Sequence, residues 1–201
     1  MAGSATESAR RVGVFGGTFN PPHRGHLRLA GMVRERFGLD RVLWIPNSRS
    51  PFKTGEELAD AADRLAMVRA ATAGNAAFSV SEIETRQGGT SYTVETLRKL
   101  REAHPGAVFR LMVGSDQLPD FSRWREPEEI ARRAPLIAFP RAGYEHAAVP
   151  AGFEKYVEFA GTPLIELSGT DIRERIRTGR SVREMVPPAV LEIIEERGLY
   201  R

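Results

Sequence analysis

In Arg11-Val12-Gly13-Val14-Phe15-Gly16-Gly17-Thr18-Phe19-Asn20-Pro21-Pro22-His23-Arg24-Gly25-His26, a short apolar run is cut off by two glycines and then by two prolines. Arg11 to Phe15 reads as a buried strand, and the Gly and Pro pairs are turn signals. Leu29, Met32, Val33 and Phe37 then recur at helical spacing. That spacing predicts a helix with His26 in its first turn and an end near Gly38. Strand, glycine turn and helix make half of a βαβ unit. Arg41 to Ile45, ended by Pro46, is the next strand. The right-handed crossover rule makes it parallel to the first.

The alternation continues outward. Leu58, Ala61, Ala62, Leu65 and Val68 predict a second amphipathic helix, Phe78 to Val80 a third strand, and Ser91 to about Ala103 a third helix with Val94, Leu97 and Leu100 inward. Ala107 to Val113 and Pro135 to Phe139 are further strands, separated by a helical stretch around Glu128 to Arg132. Val157 to Phe159 and Leu164 to Leu167 read as short terminal strands, followed by helices over Thr170 to Arg177 and Pro188 to Arg197. This pattern predicts an α/β fold: a Rossmann-like, doubly wound parallel sheet flanked by helices, with a C-terminal helical segment. With no repeat and no long linker, residues 11–201 are expected to form a single domain behind a disordered tail over residues 1–10.

Composition narrows the class. The charge of +3 arises from 29 basic and 26 acidic residues, too small and too evenly spread for a binder of nucleic acid polymers. Small anionic ligands remain compatible with it. The absence of cysteine excludes disulfides, thiolate metal sites and a cysteine nucleophile. Residues 1–10 have no apolar run, and no later stretch approaches the length of a membrane span, so a cytoplasmic protein is expected.

In an open parallel sheet, ligands bind beyond the carboxyl ends of the strands, where helix N-termini offer unpaired N–H groups to anions. Gly16-Gly17-Thr18 falls at such a place, although an ordinary tight turn would look the same. The dinucleotide fingerprint Gly-x-Gly-x-x-Gly is absent from this turn, and the Gly-Lys pair of a P-loop occurs nowhere in the chain. His23 and His26, two of four histidines, flank Arg24-Gly25 at a helix start. That grouping favours anion binding over a metal site, which would want a third ligand.

The run from Gly16 to His26 resembles the first signature of the nucleotidylyltransferase superfamily, a His- or Thr-x-Gly-His element after the first strand. Leu167-Ser168-Gly169-Thr170-Asp171-Ile172-Arg173 resembles the second, Ile-Ser-Ser-Thr-x-Ile-Arg. Asn20 stands where the family more often has Asp, Leu167 replaces Ile, and Gly169 replaces the second Ser. Within the superfamily the chain is most similar to bacterial nicotinate mononucleotide adenylyltransferases, over essentially all of it after residue 10. Trp44-Ile45-Pro46-Asn47 with Ser50-Pro51-Phe52-Lys53, Ser91-Tyr92-Thr93, Gly114-Ser115-Asp116, Trp124-Arg125 and Arg141-Ala142-Gly143-Tyr144 resemble further elements of that family.

The resemblance implies transfer of AMP from ATP to nicotinate mononucleotide, giving nicotinate adenine dinucleotide and pyrophosphate in NAD biosynthesis. It implies His23, His26, Lys53 and Arg173 as catalytic residues. ATP would meet Gly16, Gly17, Thr18, Phe19, His26, Gly114, Asp116, Ser168, Thr170, Ile172 and Arg173. The mononucleotide would meet Asn20, Lys53, Ser91, Tyr92, Thr93, Trp124 and Arg141. Magnesium would arrive with ATP, without a metal site built by the protein. The alternatives are nicotinamide mononucleotide or phosphopantetheine as acceptor, or a nucleotide-binding module without turnover. A homo-oligomer stays open.

Overall fold

The computed structural model describes residues 10–48 and 58–201; Lys53, with Ser50, Pro51 and Phe52, and residues 1–9 of the expected tail lie outside them. Arg10, assigned to that tail, is instead tied into the sheet, its carbonyl accepting from Val108 N at 2.8 Å.

The chain runs β1 (Arg11–Gly17), α1 (Arg24–Arg36), β2 (Arg41–Pro46), α2 (Ala61–Thr72), β3 (Phe78–Val80), α3 (Ile83–Gln87), α4 (Thr93–Ala103), β4 (Val108–Gly114), α5 (Pro127–Arg133), β5 (Leu136–Phe139), β6 (Val157–Phe159), α6 (Gly169–Arg177) and α7 (Pro188–Glu196). The six strands are all parallel, in the order β3-β2-β1-β4-β5-β6. The order reverses between β1 and β4. In a doubly wound sheet that reversal opens a crevice at the carboxyl ends of these two strands.

Helices cover both faces, so the central strands β1, β2 and β5 read as nearly continuous buried runs rather than alternating ones. The strand period of two sorts the side chains between two cores. Val12 and Val14, Leu43 and Ile45, Leu111 and Val113 face one. Phe15, Val42, Trp44, Met112 and Ile137 face the other. At Gly13 a Cβ would meet Leu39 Cδ1 at 2.8 Å and Met112 Sδ at 3.0 Å, which leaves room only for glycine as packed. A third cluster joins α2 to the C-terminal helices through Met67, Ile172, Val186, Val190 and Ile194.

Two sequence expectations are corrected. Leu164 to Leu167 is not a strand: β6 ends the sheet, and this segment crosses its carboxyl edge with Ile165 packed on the second core. Helix α2 buries Val68 of the expected stripe, but Ala62 is exposed, Ala61 and Leu65 are half-buried, and Arg64, Met67 and Thr72 are buried instead. Its inward face is centred on an arginine. Helix α3 was not anticipated. Among the described residues, no helix is long and apolar enough to cross a membrane.

Candidate active site

A cavity of about 940 Å³ opens over the ends of β1 and β4, with Gly16, Gly17 and Thr18 on one wall and Gly114 and Asp116 on another. Gly16 is exposed to it, and a Cβ there would meet nothing within 4 Å. The turn owes its shape to Phe19. This residue takes the left-handed region at φ 48°, an arrangement that costs a non-glycine residue roughly 1–3 kcal/mol unless packing enforces it. Packing does so here, since the Phe19 ring lies 5.4 Å from Phe15 and 5.2 Å from both Trp44 and His26. Phe19 is only 3% exposed, so it lines the cavity as the underside of the turn.

His23 is the N-cap of α1 and His26 stands three residues on. The backbone N–H of His23 donates to His26 Nδ1 at 3.2 Å. With Nδ1 accepting, a neutral His26 carries its proton on Nε2, which makes that atom a donor. The two rings stack with centroids 3.6 Å apart. Burial, reinforced by the Arg141 guanidinium, lowers the His23 pKa from 6.5 to about 4. His23 is therefore neutral at neutral pH and brings no positive charge of its own to the cavity. Gly25 is dictated by the same packing, because a Cβ would stand 2.9 Å from His23 Nδ1 and from Ile165 Cγ2.

The second signature meets the first across 153 residues, where Arg173 Nη1 donates to the Asn20 carbonyl at 2.9 Å. Arg173 Nη2 also reaches Thr170 Oγ1 at 3.4 Å. Ser168 caps α6, its Oγ accepting from Asp171 N at 3.1 Å. The glycine at 169 has a physical reason: a Cβ would lie 2.9 Å from the Asn20 carbonyl oxygen. Ile172 does not reach the cavity. It is fully buried in the third core, where it anchors α6 so that Arg173 faces outward. Asn20 lines the cavity, yet its Oδ1 accepts from Ala59 N at 3.1 Å and from the Tyr200 hydroxyl at 2.8 Å. Its carbonyl and Oδ1 brace the turn while the residue lines the cavity in which the mononucleotide is expected.

On the opposite side, Ser91, Tyr92 and Thr93 line the cavity at the start of α4. The Arg125 guanidinium lies 4.8 Å over the Tyr92 ring and is bonded to Glu95 Oε1 at 2.7 Å. Trp124 is half-buried on Phe121, with ring centroids 5.4 Å apart. Arg141 is positioned through its backbone N–H, which donates to the buried Ser115 Oγ at 2.9 Å. Its Nε lies 3.7 Å from Asp116 Oδ1. Asp116 folds back over Gly114, where a Cβ would sit 2.2 Å from Oδ1. The cavity thus gathers every sequence-derived site residue except Ile172 and Lys53, the latter outside the described residues.

Two residues carried no signal in the sequence. Arg64, 1% exposed, donates from Nε to Ala59 O (3.0 Å), from Nη1 to Thr18 O (2.9 Å) and Asn47 O (2.8 Å), and from Nη2 to Ser48 O (2.8 Å). Burial pulls its pKa below the usual value, and carbonyl dipoles hold the charge. Glu84 also lines the cavity, accepting from Thr96 Oγ1 at 2.6 Å. Burial pushes its carboxyl up. An arginine or glutamate on a short helix ordinarily reads as a solvated charge.

The cytidylyltransferase-like family matches residues 14–175, a span that begins inside β1 and ends inside α6. The "Probable nicotinate-nucleotide adenylyltransferase" of Salinibacter ruber is 48% identical over 190 residues, covering 94% of this chain and 97% of that one. A protein of the same name from a Synechococcus strain is 41% identical over 196 residues, with 95% and 97% covered. Among solved structures, the Plasmodium falciparum nicotinic acid mononucleotide adenylyltransferase complexed with NaAD shares the fold, with a TM-score of 0.74 at 16% identity over 95% of this chain and 97% of that one. The two signatures, the cavity they enclose and these likenesses place the chain in the cytidylyltransferase-like family, among the nicotinate-nucleotide adenylyltransferases.

Proposed function

We propose that this protein transfers AMP from ATP to nicotinate mononucleotide, releasing pyrophosphate and forming nicotinate adenine dinucleotide. The observation that carries this reading is the bond from Arg173 to the Asn20 carbonyl, which brings two helix N-termini and both signatures to one cavity. The relatives' name supplies the acceptor.

The chemistry needs no general base. A phosphate monoester has a second pKa of about 6, so the acceptor is already a dianion at neutral pH. The task is to align two anions and lower their repulsion. The Gly16-Gly17-Thr18 turn and the Nε2–H of His26 hold the α-phosphate, and neutral His23 orients His26 and donates where charge develops. Arg173, with Ser168 and Thr170, holds the departing pyrophosphate through charge-assisted bonds. Tyr92, Trp124 and Arg141 receive the mononucleotide, and Lys53 serves the reacting phosphates.

Magnesium would enter with ATP, held chiefly by phosphate oxygens and water, and would supply neutralisation of the triphosphate. The residues present fit this mode. Asp116 Oδ1 is a buried oxygen with no hydrogen-bond partner among the described residues, suited to accept from a metal-bound water. Residues 11–201 act as one nucleotidyltransferase domain in the cytoplasm, alone or as a homo-oligomer.

Pyrophosphate release with ATP and nicotinate mononucleotide, nicotinamide mononucleotide or phosphopantetheine tests the reading. Turnover is expected with nicotinate mononucleotide in preference to the other two. Product from phosphopantetheine alone would refute the acceptor, and no product from any acceptor would refute the enzyme.

A further inference from the structure

Glu84 stands on α3, in a part of the cavity that neither signature reaches. Its carboxylate receives two hydroxyls, Thr96 Oγ1 at 2.6 Å and Ser91 Oγ. Ser91 Oγ in turn accepts from Ser48 N at 3.2 Å. The carbonyl of the same Ser48 accepts from Arg64 Nη2 at 2.8 Å, and Arg64 Nη1 reaches Thr18 O at 2.9 Å. These bonds form a continuous strap from the phosphate turn at Thr18, across the ends of β1 and β2, to the start of α4.

The strap has a direction. An ionised carboxylate only accepts, so Glu84 obliges the Ser91 hydroxyl to point its proton toward α3 and its lone pair toward Ser48 N–H. Without Glu84 the hydroxyl can rotate, and the bond to Ser48 loses its reason to persist. Both hydroxyls are then committed within the protein. Tyr92 and Thr93 line the cavity beside them.

We propose that Glu84 is a positioning residue for the acceptor: through Ser91 it fixes the Ser91-Tyr92-Thr93 turn at a set distance from the phosphate turn. The proposal rests on the adenylyl-transfer reading above. In-line attack tolerates little error, and a misplacement of about 1 Å is enough to cost about a hundredfold in rate. Burial, which pushes the Glu84 carboxyl up, agrees with its being served by protein hydroxyls rather than water.

The test measures KM for both substrates, kcat and the thermal midpoint for the wild type, Glu84→Ala, Glu84→Gln, Ser91→Ala and the Glu84→Ala/Ser91→Ala pair. The wild type is assayed first with nicotinate mononucleotide. No product there refutes the function reading, and the series continues with whichever acceptor the wild type uses. Glu84→Ala is expected to lower kcat/KM for the acceptor roughly 10- to 100-fold, with the KM for ATP within about threefold. Glu84→Gln keeps an oxygen acceptor and recovers most of the loss. Ser91→Ala reproduces the defect, and the pair is no worse than the single changes, because all cut one strap. If Glu84→Ala does not fold, Ser91→Ala carries the same test. An unchanged acceptor KM and kcat overturns the proposal. So does an equal rise in both KM values with a lowered thermal midpoint, the signature of a merely structural carboxylate.

Discussion

The two sides of the cavity are built by opposite means. The side proposed for the phosphates is a backbone object: a glycine turn over a buried aromatic, carbonyls gripped by Arg64 and Arg173, and a histidine pair locked by a main-chain bond. The side proposed for the acceptor is made of half-exposed side chains: Trp124 on Phe121, Arg125 over Tyr92, Arg141 opposite Asp116. A phosphate presents the same oxygens whatever molecule carries it, so a rigid cradle suffices. The acceptor must be told apart from its chemical neighbours, and side chains carry that information.

The contrast predicts that damage on the phosphate side strikes folding and chemistry together. Arg64→Met leaves four carbonyls of half-buried residues without their donor and should lower the free energy of unfolding by about 2–4 kcal/mol, read by denaturant titration. Retained stability would mean that the turn holds its own shape. His26→Ala should remove about 3–4 kcal/mol of transition-state stabilisation, a loss of 10²–10³ in kcat, with little change in acceptor KM. Unchanged turnover would exclude His26 from the reaction.

His23 gives a pH signature that no acceptor-side residue shares. The unfolded chain protonates it below pH 6.5, while the folded protein resists until about pH 4. Its contribution is fully present above pH 6.5, is lost as pH falls toward 4, and is then constant. The span is on the order of 3 kcal/mol. A His23→Gln variant should show a flatter stability profile over that window. On the acceptor side, Trp124→Ala should cost about 1 kcal/mol, a five- to tenfold rise in acceptor KM at constant stability. A fall in thermal midpoint instead would show that the indole belongs to the core.

The sequence made the phosphate side legible because its pieces are local. A strand, a glycine pair, a helix start and two histidines three apart can be read within sixteen residues. The central strands β1, β2, β4 and β5 were equally plain, since burial leaves them largely apolar, while β3 and β6 at the edges are short and partly exposed. Leu164 to Leu167 misled because its apolar run looks like a strand, whereas only Ile165 packs on a core, Leu164 is exposed, and no strand lies beside it. Arg64 and Glu84 were invisible because their partners come from elsewhere in the chain. Ile172 came with the second signature alongside Arg173, whereas helical geometry turns adjacent residues to different faces and buries Ile172 in the third core.

Tyr200 donates to Asn20 Oδ1 from 180 residues further along the chain, and burial raises its pKa, so the hydroxyl keeps its proton. A ribosome delivers Asn20 long before Tyr200. A chain still in synthesis therefore displays both histidines early and lacks this brace of their turn until Tyr200 emerges. Nucleotide capture by the nascent protein should tighten only then, which makes ATP binding a report that the chain has folded through Tyr200.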